Sequence, residues 1–381
     1  MKKLIEATLI FTLFGLFSCN VKENEKKSIP IVPIQMSDVK EVAMSELFRR
    51  MEILSLETAD TTLIDHVIDN FATVIPDKYY IFQDTHQVLT IFNADGSFVS
   101  SSKHKKGHGH GEYLIIMNYT YNQYKDEIEI LTPTSIISYD EKFNHLETTK
   151  LKQHTDCLYG EIAAVSENIF ALIHTGVSAD RHTIYIFDRK QEKVIKEISY
   201  KNDVISDLSQ NVSPLRKLDS TVYFSPRATS YYSYQLNSKD WSLEPIYQFD
   251  FGKDNINKKA LKKFNDQEER DFLAFESSYP LPLRNFFNTD FLISQLRYKR
   301  QYYTFFYNVT KQTSILTSNK HLKDDKKLPL FFHFDGKILY AYVHPTALNS
   351  HIDTNLLPSD YTLENIKEDD NPVIVKYYIK K

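Results

Sequence analysis

Five stretches of the chain repeat one local pattern. Each is an alternating apolar and aromatic run that ends in Asn or Asp, turns through polar residues and returns as a second apolar run: VLTIFNADGSFV, IISYDEKFNHL, TIYIFDRKQEKVI, YSYQLNSKDWSLEPI and YTFFYNVTKQTSIL. Apolar runs on both sides of such a turn are the pattern of a β-hairpin. Marked by its turn residue, the pattern falls at Asn93, Asp140, Asp188, Asn237 and Asn308, at successive intervals of 47, 48, 49 and 71 residues. A unit of nearly fifty residues holds about four short strands, the content of one propeller blade.

The long fourth interval has a local cause. Residues 253–276, KDNINKKALKKFNDQEERDFLAFE, are densely charged and place Leu261, Phe264, Phe272 and Phe275 at helix-like spacing, which predicts an amphipathic helix between blades four and five. A sixth unit follows in altered form: LPLFFHFDGKILYAYV predicts a hairpin across Asp335-Gly336, and NPVIVKYYIKK a final strand. Ahead of the first full unit, FRRMEILSLE reads as a strand carrying Ile53, Leu54 and Leu56. Paired with the last unit, it would close the ring and remove open sheet edges. The expected fold is all-β: a six-bladed β-propeller over residues 39–381, closed by its N- and C-terminal strands, with a short helical insertion between blades four and five.

The N-terminus predicts a destination. Lys2 and Lys3 precede a mostly apolar run from Leu4 to Phe17 that stops at Ser18-Cys19. The run is too short to span a bilayer and has the layout of a secretory signal. Leu16-Phe17-Ser18-Cys19 resembles a bacterial lipobox, with Phe17 where a small or aliphatic residue is usual, so Cys19 is the expected lipid attachment site. An ordinary cleaved signal with an incidental cysteine is the alternative. Residues 1–18 are then the signal peptide, and 19–38, with the polar run NVKENEKKS at 20–28, a flexible tether. Acylation of Cys19 leaves Cys157 as the other cysteine, so no disulfide is expected.

Forty-six basic residues against fifty acidic ones give a net charge of −4, which supplies no general pull toward nucleic acid. Aromatic residues make up 13% of the chain, with 25 Tyr and 25 Phe, which favours strands. No phosphate loop, His-Glu-x-x-His, Gly-x-Ser-x-Gly, Cys-x-x-Cys or EF-hand loop is present. Several common enzyme classes are thereby disfavoured, and neither a catalytic residue nor a cofactor or metal is expected. A propeller active site assembled from separate blades would nonetheless leave no local signature.

One short stretch invites a chemical reading. In SSKHKKGHGHGEY, three glycines and three histidines (His104, His108, His110) sit between apolar segments. Neutral imidazoles with Glu112 could ligate a transition metal, although the spacing is not a standard one and Lys103, Lys105 and Lys106 would repel a cation. Alternating glycines could instead expose backbone N–H groups as an anion cradle. The reading favoured is a connection between blades, in which Gly107, Gly109 and Gly111 return the chain toward the axis and Glu112-Tyr113 enters the next inner strand. The binding candidates are His108, His110, Glu112, Arg181, Arg227 and Arg297. Arg284 and Arg300, and His182 beside Arg181, are further residues that could reach the central funnel. Tyr231, Tyr232 and Tyr234 either stack on a sugar or pack between blades.

In order along the chain, LSLETADTTLI, YYIFQDTHQVLTIFNADGSFV, GHGHGEY and DDNPVIVKYY resemble the six-bladed β-propeller lipoproteins common in Bacteroidota, relatives in architecture of NHL-repeat propellers. In that family the glycine run usually reads Gly-x-Gly-Pro-Gly-Glu-Tyr. Here His110 stands at the proline position, and Lys105 where Arg is common. The resemblance implies a fold and an envelope address, as an outer-membrane lipoprotein facing the periplasm or the surface; no catalytic residue carries over. The function expected is a monomeric, lipid-anchored binding or scaffold module for a glycan or an envelope protein. A propeller hydrolase or lyase with its site at the central funnel is the alternative, and a subunit of an envelope complex a third reading.

Overall fold

The computed structural model describes residues 29–151, 158–174, 183–199, 214–218, 220–226, 231–256, 278–359, 361, 363 and 365–380. Cys19, Cys157, Arg181, His182, Arg227 and residues 257–276 of the expected helix lie outside them.

The strands form six small sheets. Blade one holds β3 (Val67–Ile75), β4 (Tyr79–Asp84), β5 (Leu89–Asn93) and β6 (Phe98–Ser101). Blade two holds β7 (Asn118–Asn122), β8 (Glu127–Leu131), β9 (Ser135–Tyr139) and β10 (His145–Lys150). In blade three are β11 (Tyr159–Ala164), β12 (Ile169–His174), β13 (Thr183–Asp188) and β14 (Lys193–Ser199). Blade four has β15 (Leu215–Leu218), β16 (Thr221–Phe224), β17 (Tyr232–Leu236) and β18 (Leu243–Asp250); blade five has β19 (Leu281–Phe287), β20 (Phe291–Tyr298), β21 (Gln301–Asn308) and β22 (Thr313–Ser318). Blade six comprises β23 (His333–Phe334), β24 (Ile338–Val343) and β25 (Val373–Ile379), with β2 (Phe48–Leu54) antiparallel to β25 as its outer strand. The early strand therefore closes the ring, as expected.

Four of the five marker residues share one turn chemistry. Each ends the third strand of its blade or follows it directly. The side-chain oxygens of Asp140, Asp188, Asn237 and Asn308 accept from the backbone N–H of Lys142 (2.9 Å), Gln191 (3.2 Å), Lys239 (2.9 Å) and Lys311 (2.8 Å). Asn93 instead donates its amide to Ser97 Oγ at 2.9 Å. Three or four residues beyond each marker the backbone turns left-handed, at Gly96, Phe143, Glu192, Trp241 and Gln312. A short Asn or Asp side chain that holds the following N–H groups fixes where the turn falls, and hence the register of the hairpin.

Because side chains alternate across a strand, each central blade packs against both neighbours. In β11, Ile162 faces blade two, in a cluster with Leu131 and Ile136, whereas Ala163 faces blade four with Val222 and Phe224. The six apolar clusters of the described residues each join two consecutive blades, the last of them joining Phe332, Tyr340 and Ile374 of blade six to Phe82 and Phe92 of blade one. Polar locks supplement them. Between blades two and three, the buried Arg189 pairs with the fully buried Glu129, which also accepts from Ser138 Oγ (2.7 Å) and Asn122 Nδ2 (3.1 Å).

One expectation about the N-terminus changes. Residues 19–38 were expected to be tether, yet β1 (Ile31–Pro33) adds in parallel to β18, and Val32, Ile34 and Met36 are buried against Tyr247, Phe249 and Leu296. The segment then bridges to Leu316 through Val39 and to Leu322 through Val42 before entering β2. It covers the outer edges of blades four and five, which would otherwise present unpaired backbone groups. The compact unit accordingly begins at Ile31.

Candidate functional site

Closing six blades brings their innermost strands around one axis. The space they enclose is a cavity of ≈280 Å³, lined from blade one to blade six by Ala72, Thr120, Ala163, Arg216, Arg284 and His333, among others. A smaller cleft of ≈40 Å³ beside it shares Arg216, Lys217 and His333.

The polar lining is weighted toward positive charge. In β15, Arg216 lies over the ring of Phe286 in blade five, 4.7 Å from its centroid, and Lys217 lies over Tyr124 at 4.6 Å. Arg284, buried in β19, donates through Nη1 to the Phe331 carbonyl at 2.7 Å. Burial, followed by repulsion from Arg284, pushes the Arg216 guanidinium down to about 9, against a weaker pull from Glu161. Burial alone pushes Lys217 down to about 8, and its Nζ is buried with no hydrogen-bond partner. His333 is driven to about 4, first by burial and then by Arg216, against an opposing pull from Asp335; its Nε2 is likewise buried without a partner.

The carboxylates nearby are engaged elsewhere. Asp335 lines the cavity, but its Oδ1 accepts from the N–H groups of Lys337 (2.9 Å) and Ile338 (2.8 Å) and its Oδ2 from Tyr340 (2.8 Å), closing its own hairpin. Glu161, buried beside the cavity, accepts from Asn118 Nδ2 at 2.8 Å. The arrangement can hold a negatively charged or strongly hydrogen-bonding group.

The Gly-His stretch lies outside the cavity lining, in the connection from β6 of blade one to β7 of blade two, as the reading of a connection between blades expects. Its glycines do cradle an anion, and that anion is the chain's own. Gly109 N–H donates to Glu112 Oε2 at 2.7 Å, and a Cβ on Gly107 would stand 2.1 Å from the same oxygen. Gly111 is the left-handed residue of the run (φ +67°), and a Cβ there would meet the ring of His145 at 2.4 Å. Tyr113 does not enter the inner strand, which begins at Asn118; it is buried and its hydroxyl bonds to Ser102 and to the Gln87 carbonyl, which pins the loop to blade one. His104 and His108 are exposed, and the exposed His110 sets its ring edge-on to His145, centroids 4.6 Å apart. Among the described residues, no three of His, Cys, Asp or Glu come together in a metal-like group.

Of the other sequence candidates, Arg284 does reach the cavity. Arg297 is at the far end of β20, opposite Leu281 and Tyr302, and Arg300 is exposed in the following turn. The tyrosines of blade four pack within the fold: Tyr231 rests on Phe251 with centroids 4.7 Å apart and donates to the Pro280 carbonyl at 3.0 Å, and Tyr232 stacks beside Tyr234. Sequence reasoning passed over Arg216, Lys217 and His333. A positional signal existed: the inner strand of blade two starts 22 residues before its marker Asp140, and the same step back from Asn237 lands on Leu215, the start of LRKL.

No curated protein matches the chain. Among solved structures, a Bacteroides fragilis protein described as exported is similar, with a TM-score of 0.69 and 17% identity over 93% of this chain and 100% of its own. A member of the DUF4221 family from Bacteroides vulgatus aligns with a TM-score of 0.46 and 11% identity, over 87% of this chain and 98% of its own. The first likeness agrees with the six-bladed fold. A family model described as a domain of unknown function, DUF4934, matches residues 26–378, almost the whole folded part, and the chain belongs to that family.

Proposed function

We propose that the protein is exported to the cell envelope, is held to a membrane by a lipid on Cys19, and acts as a binding module that takes a glycan, or a group on a partner protein, into its axial cavity. The observation that carries this reading is the cavity: six rigid inner strands converge on it, and two buried polar atoms on its walls lack partners. Concave sites with a few convergent polar groups are the usual form of a ligand pocket. The basic, apolar and Ser-Cys layout of residues 1–19 supports the address, as does the similarity to a protein described as exported. Binding fits the walls better than acid–base catalysis. A histidine held near 4 is a weak base at neutral pH, and Asp335 is committed to its turn.

The test has two arms. Thr120→Trp places a large ring in the cavity, and on an envelope glycan panel it is expected to abolish binding while the protein stays folded; unchanged binding would put the ligand elsewhere. Cys19→Ala is expected to move the protein from the membrane to the soluble fraction. Continued membrane association would contradict the anchor.

A further inference from the structure

The chemistry of the cavity walls narrows the ligand, given the binding role proposed above. Among the described residues, neither Arg216 nor Lys217 has a carboxylate at ion-pairing distance. Both residues are half-buried and rest on aromatic faces, which supply only part of what partial removal from water takes away, and Lys217 Nζ is itself buried. Elsewhere the protein treats a buried cation differently. Arg189, over Phe170 at the same 4.7 Å, has Glu129 as a direct partner and Glu147 at 3.4 Å. An unpaired cation is unfavourable in a fold that has carboxylates to spare, unless the missing anion arrives with a ligand.

We infer that the axial cavity binds a small ligand bearing an oxyanion, a carboxylate or a sulfate, gripped by the Arg216 guanidinium with His333 beside it and Lys217 on the other side of the same strand. The planar guanidinium offers paired N–H donors that match either group. The orphaned Nε2 of His333 gives a third polar contact from blade six. A volume of ≈280 Å³ lies at or below the ~300–1,000 Å³ typical of sites for drug-sized ligands, so the group admitted is a single sugar residue or smaller. An acidic sugar and a free inorganic anion share this chemistry.

The two sources separate by titration calorimetry at constant ionic strength with glucuronate, glucose, inorganic sulfate and inorganic phosphate. Wild type is expected to bind at least one of the three anions and to prefer glucuronate to glucose. Arg216→Met is expected to weaken that binding about tenfold or more, the worth of one charge-assisted contact. Lys217→Met should weaken it less. Both variants should melt at or above the wild-type temperature, because each removes a half-buried, unpaired charge; a merely structural arginine would lower it. Arg216→Lys should recover part of the affinity. Glucuronate binding without inorganic anions identifies an acidic sugar, and the reverse identifies a free oxyanion; both support the inference. Glucose binding as tight as glucuronate and indifferent to Arg216→Met would overturn it while leaving the binding role intact. Failure of all four probes, alongside a neutral envelope glycan that Thr120→Trp excludes, would overturn it equally. If no probe and no envelope glycan binds, the binding role itself falls.

Discussion

Arg189 and Arg216 each lie 4.7 Å from the centroid of a phenylalanine ring, and there the likeness ends. At the interface of blades two and three, Arg189 meets a buried carboxylate whose other lone pairs are taken by Asn122 and Ser138. At the axis, Arg216 shares the cavity wall with a second arginine, Arg284. The first site has its charge balanced without any outside molecule, although Arg189 Nε is left without a hydrogen-bond partner. The second is left one anion short, and on the reading proposed above that deficit distinguishes a wall built for binding from one built for stability.

The same distinction separates the axis from the Gly-His loop. The loop concentrates the residues that look most like a site, yet Glu112 fills the glycine cradle and the loop tyrosine is spent on anchoring. Conspicuous residue types show little by themselves. Whether their hydrogen-bonding capacity is already used is more informative.

Substitutions can break this comparison, and the largest effect should come from the charge-balanced site. Arg189→Met strands Glu129 at 0% exposure and is expected to cost about 3–5 kcal/mol in denaturant unfolding, the penalty of breaking a buried pair from one side. A cost below about 1 kcal/mol would show that Arg189 is no more committed than Arg216. Next comes Gly111→Val, which forces a branched side chain into a left-handed backbone and against His145. Unfolding should register a loss of about 2–4 kcal/mol, with anion binding at the axis retained. Smallest is the double change His108→Ala with His110→Ala: stability should stay within about 0.5 kcal/mol and divalent-metal content should not change. Stoichiometric metal lost on that replacement would return the loop to the list of sites.

The blades were legible in the sequence because blades two to five each carry their own turn device, an Asn or Asp whose side chain holds a following backbone N–H. Ring closure by β2 was legible too, as a strand with nothing else to pair with. The outer strand at Ile31 was not, although Ile31 to Met36 alternates exposed and buried; the charged residues before it set the expectation of a tether. The site was harder for a physical reason. Ala72, Thr120, Ala163, Arg216, Arg284 and His333 become neighbours only when the ring closes, so no window of sequence contains them. Arg284 stood among the candidates, whereas Arg216 and Lys217, in a four-residue strand that resembles a solvated edge, did not.

Lys217 offers the most direct test. Its value lies below the ordinary lysine range through burial alone, so its charge opposes folding at every pH below about 8, and stability should rise as pH climbs from about 8 toward the unfolded value. A bound anion reverses the balance by favouring the ammonium form, and binding should weaken as pH rises beyond about 8. Carbon-13 NMR of labelled lysine, assigned with Lys217→Met, reads this group in the free protein and with saturating sulfate or glucuronate. A titration near 8 that moves upward when the anion is added is the result expected. A titration in the ordinary lysine range, unmoved by either anion, would contradict the claim that the axis holds a cation waiting for its partner.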